Sequence, residues 1–117
     1  MRYMLLIHSN EIQEAGMSEE AMGKIMAEYY TFTEELMKSG ALRAGDRLRQ
    51  TTSATTVRVR NGDTLTTDGP FAETKEQFGG YYLIDVPDLD EAIRWASKIP
   101  SAKYGCVEVR PIWEMEG

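Results

Sequence analysis

Apolar and polar positions divide this chain into stretches of two distinct periods. Near the start, Tyr3, Leu5 and Ile7 alternate with Met4 and Leu6. This predicts a strand from Arg2 to His8 with apolar side chains on both faces. The period then changes. Ser18 can cap a helix whose first turn carries Glu19 and Glu20, and Met22, Ile25, Met26, Tyr29, Phe32 and Leu36 recur at helical spacing as its buried stripe. Lys24, Glu28, Glu35 and Lys38 fall on the opposite face, and Gly40 is placed to end the helix.

Leu42 to Leu48 reads as a weaker strand, interrupted by Gly45 and Asp46. Val57-Arg58-Val59-Arg60 and Asp63-Thr64-Leu65-Thr66 flank Asn61-Gly62, the preferred two-residue hairpin turn, so Arg60 should face Asp63 and Val59 should face Thr64. These pairs are mostly polar, which predicts a hairpin that projects from the core or flanks an opening. Gly80 to Val86 is a further strand, with Tyr81 and Leu83 opposite Tyr82 and Ile84. Asp88, with Glu91 three positions on, caps a second helix expected to bury Leu89, Ala92, Ile93, Ala96 and Ile99 and to stop before Pro100. Cys106 to Ile112 is the last strand.

The order is strand, helix, strand, inserted hairpin, strand, helix, strand, within one domain spanning 1–117. Two split βαβ units predict an α+β fold of ferredoxin-like type, an antiparallel sheet with both helices on one face. The strands that are apolar on both sides then need a partner on the uncovered face, and a two-fold homodimer supplies one.

Composition narrows the function. A net charge of −6 with no cluster of Lys or Arg disfavours direct binding to nucleic acid. No apolar run is long enough to span a bilayer, so no membrane association and a cytoplasmic location are expected. A lone cysteine, Cys106, forms no internal disulfide and should be a half-buried, inert thiol. With one histidine and one cysteine, a zinc site within one subunit lacks its usual ligands, and neither a phosphate loop nor a dinucleotide fingerprint is present. The reading calls for no metal and no cofactor.

His8 ends the first strand on the face of Met4 and Leu6. It is either a hydrogen-bonded strand-end histidine or an acid–base residue at the mouth of a cavity. Asp68 either closes the turn before Gly69-Pro70 or partners that histidine. Gly69-Pro70 can open a short helix from Phe71 to Gln77. Glu73, Lys75, Glu76 and Gln77 form either a solvated face or a lid in which Lys75 steers an anion. Phe71 and Phe78 are expected as apolar wall, with Tyr29 and Gln77 among the substrate-binding residues, although the tyrosines also read simply as packing.

Thr67-Asp68-Gly69-Pro70-Phe71-Ala72-Glu73-Thr74-Lys75-Glu76-Gln77-Phe78-Gly79-Gly80-Tyr81-Tyr82, together with Asp85-Val86-Pro87-Asp88 and Val107-Glu108-Val109-Arg110-Pro111, resembles the DGPF-domain branch of the YCII-related family. The resemblance covers nearly the whole chain and implies a dimeric α+β barrel. Members of the YCII branch are thought to pair a histidine on the first helix with an aspartate beyond the second strand. Here the histidine's place falls near Tyr29 or Tyr30, and either Asp46 or Asp68 stands for the aspartate. The resemblance implies a small-molecule-binding domain. One reading is a cofactor-free acid–base lyase or isomerase acting on a small aromatic or enolisable acid. The alternative is a non-catalytic ligand sensor associated with an extracytoplasmic-function sigma factor.

Overall fold

The computed structural model describes residues 1–115. Six strands and three α-helices follow in the order β1 (Arg2–Ser9), α1 (Glu11–Ala15), α2 (Glu19–Ser39), β2 (Leu42–Arg47), β3 (Thr55–Arg60), β4 (Asp63–Asp68), β5 (Gln77–Asp85), α3 (Leu89–Ser97) and β6 (Cys106–Pro111). Four strands make one antiparallel sheet in the order β2-β5-β1-β6, while β3 and β4 form a separate hairpin. This is the expected ferredoxin-like α+β arrangement with an inserted hairpin. The short α1 was not anticipated; Asn10 caps it by accepting a hydrogen bond from the Gln13 amide.

The local signals act as their chemistry dictates. The Ser18 hydroxyl accepts from the Ala21 amide, and Gly40 ends α2 in the left-handed region at φ 80°. The Asp88 carboxylate accepts from the Glu91 amide at 2.9 Å. Arg60 faces Asp63 and Val59 faces Thr64, as the Asn-Gly turn requires.

Tyr3, Leu5 and Ile7 of β1 are buried under the helices, whereas Met4, Leu6 and His8 alternate onto the open face. Register places Leu83 and Tyr81 of β5 and Cys106, Glu108 and Arg110 of β6 on that open face as well. On the helix side, Leu5, Leu36, Ile84 and Ile99 are fully buried, joined by Phe32 and Trp95. The Phe32 ring meets Tyr82 and Trp95 edge-on at 5.2 and 6.1 Å. Arg94 and Lys98 lie over the Trp95 ring at 4.6 and 5.1 Å, while Trp113 is exposed.

Three expectations need correction. In α3 the buried positions are Ala92, Trp95 and Ala96, continued by Ile99, and Leu89 and Ile93 are half exposed. The buried set runs at i, i+3, i+4 and i+7, and it is Trp95 that fills the largest space. No helix forms between Phe71 and Gln77. The Thr74 hydroxyl donates to the Glu76 carbonyl and the Gln77 side chain donates to the Thr74 carbonyl, so local side-chain bonds hold the backbone open. Cys106 is exposed, because its register beside His8 turns it to the uncovered face.

Candidate functional site

The stripe along α2 has two fates. Phe32 and Leu36 are sealed into the core, but Met22, Ile25 and Tyr29 are only partly buried and Met26 is exposed. Beneath this N-terminal half lies a cavity of about 330 Å³. Its roof is the Met and Ile side chains of α2, and its floor is the end of the sheet where β1, β2 and β5 meet.

The floor is low because it is built of glycine. Register turns Gly45 and Gly80 to the helix side, opposite Tyr82 and Ile7 respectively. A Cβ on Gly45 would lie 2.8 Å from the Tyr82 ring, so the missing side chain lets that ring cross β2. A bulge between Ile7 and His8 absorbs Gly79 and shifts the alternation of β5. Gln77 thereby faces inward beside Ser9, and Phe78 faces outward beside His8.

Polar groups converge on this hollow from several elements. The Tyr29 hydroxyl lies 2.5 Å from Ser101 Oγ, and the Tyr82 hydroxyl lies 2.8 Å from Thr33 Oγ1. Burial is the main influence on both phenols; it pushes Tyr29 up to about 12 against the smaller opposing effect of Ser101, and it raises Tyr82 likewise. Both therefore remain neutral hydroxyls at physiological pH. Ser9, buried at the end of β1, donates to the Glu14 carboxylate. Glu11 is held by the Thr51 amide and hydroxyl at 2.8 and 2.7 Å, and the Gln77 side-chain carbonyl accepts from the Glu11 amide at 2.9 Å.

On the β2 side of the mouth, Arg47 extends under the helix until Nη1 is 3.7 Å from Met26 Sδ. Neither Arg47 nor its neighbour Arg49 forms a salt bridge among the described residues. Asp46 also borders the cavity, at the sheet edge, but register sends its side chain toward the open face with Tyr81, whose hydroxyl donates to it at 2.8 Å.

The residues singled out from sequence are thus divided. Tyr29 and Gln77 line the cavity, as does Asp46, whereas His8, Asp68, Phe71, Lys75 and Phe78 do not. His8 lies on the open face with its ring 5.5 Å from Phe78, above a shallow recess shared with Lys75, Glu76 and Cys106. Its Nε2 is buried without a hydrogen-bond partner among the described residues. Asp68 ends β4, paired with Thr55 in the exposed hairpin, and no hydrogen bond joins it to His8. Phe71 is 83% exposed. Sequence reasoning passed over Glu14, Arg47 and Ser101. Gly45 and Gly80, two side-chain-free positions on strands under one helix, were the available signal.

Among the described residues no group of three or more His, Cys, Asp or Glu side chains is arranged to hold a metal, and no helix is long and apolar enough to cross a membrane. The sequence matches the YCII-related domain over residues 1–116. It is also 39% identical over 114 residues to an uncharacterised protein of Rhizobium meliloti (strain 1021), covering 96% of this chain and 92% of the relative. Ferredoxin-like topology and a family match along almost the entire length lead to one conclusion: the chain belongs to the YCII-related domain family.

Proposed function

We propose that this domain binds a small molecule in the cavity beneath the N-terminal half of α2 and acts there by proton transfer, without a cofactor, on a small aromatic or enolisable acid. The observation that carries the reading is the cavity itself, apolar on its helix side and supplied with a few convergent polar groups, the usual make-up of a ligand pocket. Its volume of about 330 Å³ sits at the low end of such pockets and favours a ligand of a single ring or less.

Three carboxylates border the cavity, Glu11, Glu14 and Asp46. Glu14 is the best placed to take a proton, because Ser9 orients it from the helix side of the sheet, whereas Thr51 engages both Glu11 oxygens and the Asp46 side chain turns to the other face. Tyr29, kept neutral, donates a hydrogen bond and does not act as the base.

The open face supports the homodimer expected from sequence. Met4 and Leu6 are uncovered there, and His8 Nε2 lacks a partner within the chain among the described residues. A second copy packed sheet to sheet would bury this face. Sedimentation should give a dimer at micromolar concentration and a monomer for Leu6→Glu; a well-behaved wild-type monomer would refute the assembly.

The test of the cavity is native mass spectrometry of protein purified from its own host, with Ile25→Trp as the blocked variant. Wild-type protein should carry a small molecule that the variant loses. Retention of the same molecule by Ile25→Trp would place the site elsewhere. With that molecule as substrate, Glu14→Gln should lower turnover roughly a hundredfold or more, the usual scale of lost acid–base help. Binding without any turnover would leave a sensor built on the same cavity.

A further inference from the structure

The two ends of the cavity differ in chemistry, and the difference specifies a ligand class. At the β2 side of the mouth, Arg47 carries a guanidinium that meets a thioether and no carboxylate among the described residues. Of the carboxylates that share the cavity, Asp46 turns to the open face, where it accepts from Tyr81, and Glu11 and Glu14 belong to α1. These two already accept hydrogen bonds, Glu11 from Thr51 and Glu14 from Ser9. The positive charge at Arg47 is therefore available to a ligand, and a planar guanidinium suits a carboxylate.

Farther along α2 the lining becomes neutral and hydroxylic. Met26, which Arg47 touches, and Tyr29, which touches Ser101, are three residues apart on one face of the helix. That is a rise of about 4.5 Å at ~1.5 Å per residue. Met22 and Ile25, each one turn earlier on the same helix, add a wall that offers no hydrogen bond. The Tyr29 and Ser101 hydroxyls bond each other and retain capacity for one more partner.

We infer that the ligand is a small hydroxylated carboxylic acid with an apolar body, its carboxylate at Arg47 and its hydroxyl at the Tyr29–Ser101 pair. This rests on the cavity being the ligand site, and the probes are chosen to separate the two ideas. Calorimetric titrations would compare 4-hydroxybenzoate, benzoate and the neutral 4-hydroxybenzyl alcohol against wild-type protein, Arg47→Gln and Tyr29→Phe, with thermal melts as the control for folding.

Wild-type protein should prefer 4-hydroxybenzoate to the alcohol by roughly ten- to a hundredfold and to benzoate by about three- to tenfold, the scales of one charge-assisted and one neutral hydrogen bond. Arg47→Gln should erase the first preference alone, and Tyr29→Phe the second alone. If the alcohol binds wild-type protein as tightly as the acids, the charge is not read; the inference falls while the cavity reading stands. Failure of all three probes to bind would overturn both.

Discussion

The two halves of α2 carry the same amphipathic stripe and do opposite things. Phe32 and Leu36 close onto Ile84, Tyr82 and Trp95 and make the solid end of the domain. Met22, Ile25, Met26 and Tyr29 span a hollow, because the strands below them offer Gly45 and Gly80 in place of side chains. The helix does not determine which end is filled. Helical periodicity tells which way a residue faces, and the opposite layer decides whether anything meets it.

The most severe test of this contrast compares truncations in the two halves. Leu36→Ala removes a fully buried side chain and should cost about 2–5 kcal/mol in urea unfolding. Met22→Ala, at the hollow end, should cost less than about 1 kcal/mol. Equal losses would mean that the hollow end is packed in solution. Next in size is Gly45→Ala. The new methyl would push on the Tyr82 ring and loosen its bond to Thr33, so a loss of about 1–3 kcal/mol is expected. A neutral result would show that the floor has slack and that glycine is not what shapes it.

Alkaline titration sharpens the contrast more gently. Burial raises the Tyr29 phenol from its ordinary 10.0 to about 12. Since the folded value lies above the unfolded one, its protonated form favours the fold fully below pH ~10, and that contribution is lost as pH rises through about 12. Ultraviolet absorbance should show late tyrosine ionisation near that upper value, smaller by one phenol in Tyr29→Phe because Tyr82 is raised as well. If Tyr29→Phe instead removed a step at the ordinary value, water would reach the phenol freely. The smallest effect is expected in the hairpin, where Val59 is exposed: Val59→Thr should change stability by no more than about 0.5 kcal/mol. A larger change would show that the hairpin packs on something.

Sequence made most of the fold legible because its punctuation is local. Ser18, Gly40, Asn61-Gly62 and Asp88 each act through bonds to near neighbours, and those bonds formed. The site was less legible because it depends on what is absent or displaced. Gly45 read as an interruption of a strand, yet it clears space for a ring from the next strand. The bulge at Gly79 decides the facing of Gln77 and Phe78, and no alternation pattern reveals it. His8 was correctly placed beside the Gly-Gly step, but on the side of the sheet away from the cavity. Asp46 borders the cavity, while Asp68 stays in the hairpin.

The surroundings of Trp95 bear on how the molecule can be watched. The chain has two indoles, Trp95 wedged against Phe32 at the solid end and Trp113 in water. Their emission should therefore combine a short-wavelength component with a long-wavelength one that serves as an internal reference. Unfolding moves only the first. Neither ring lines the cavity, so an occupied and an empty site should look alike to intrinsic fluorescence, and optical screening for ligands calls for a reporter placed at the hollow end.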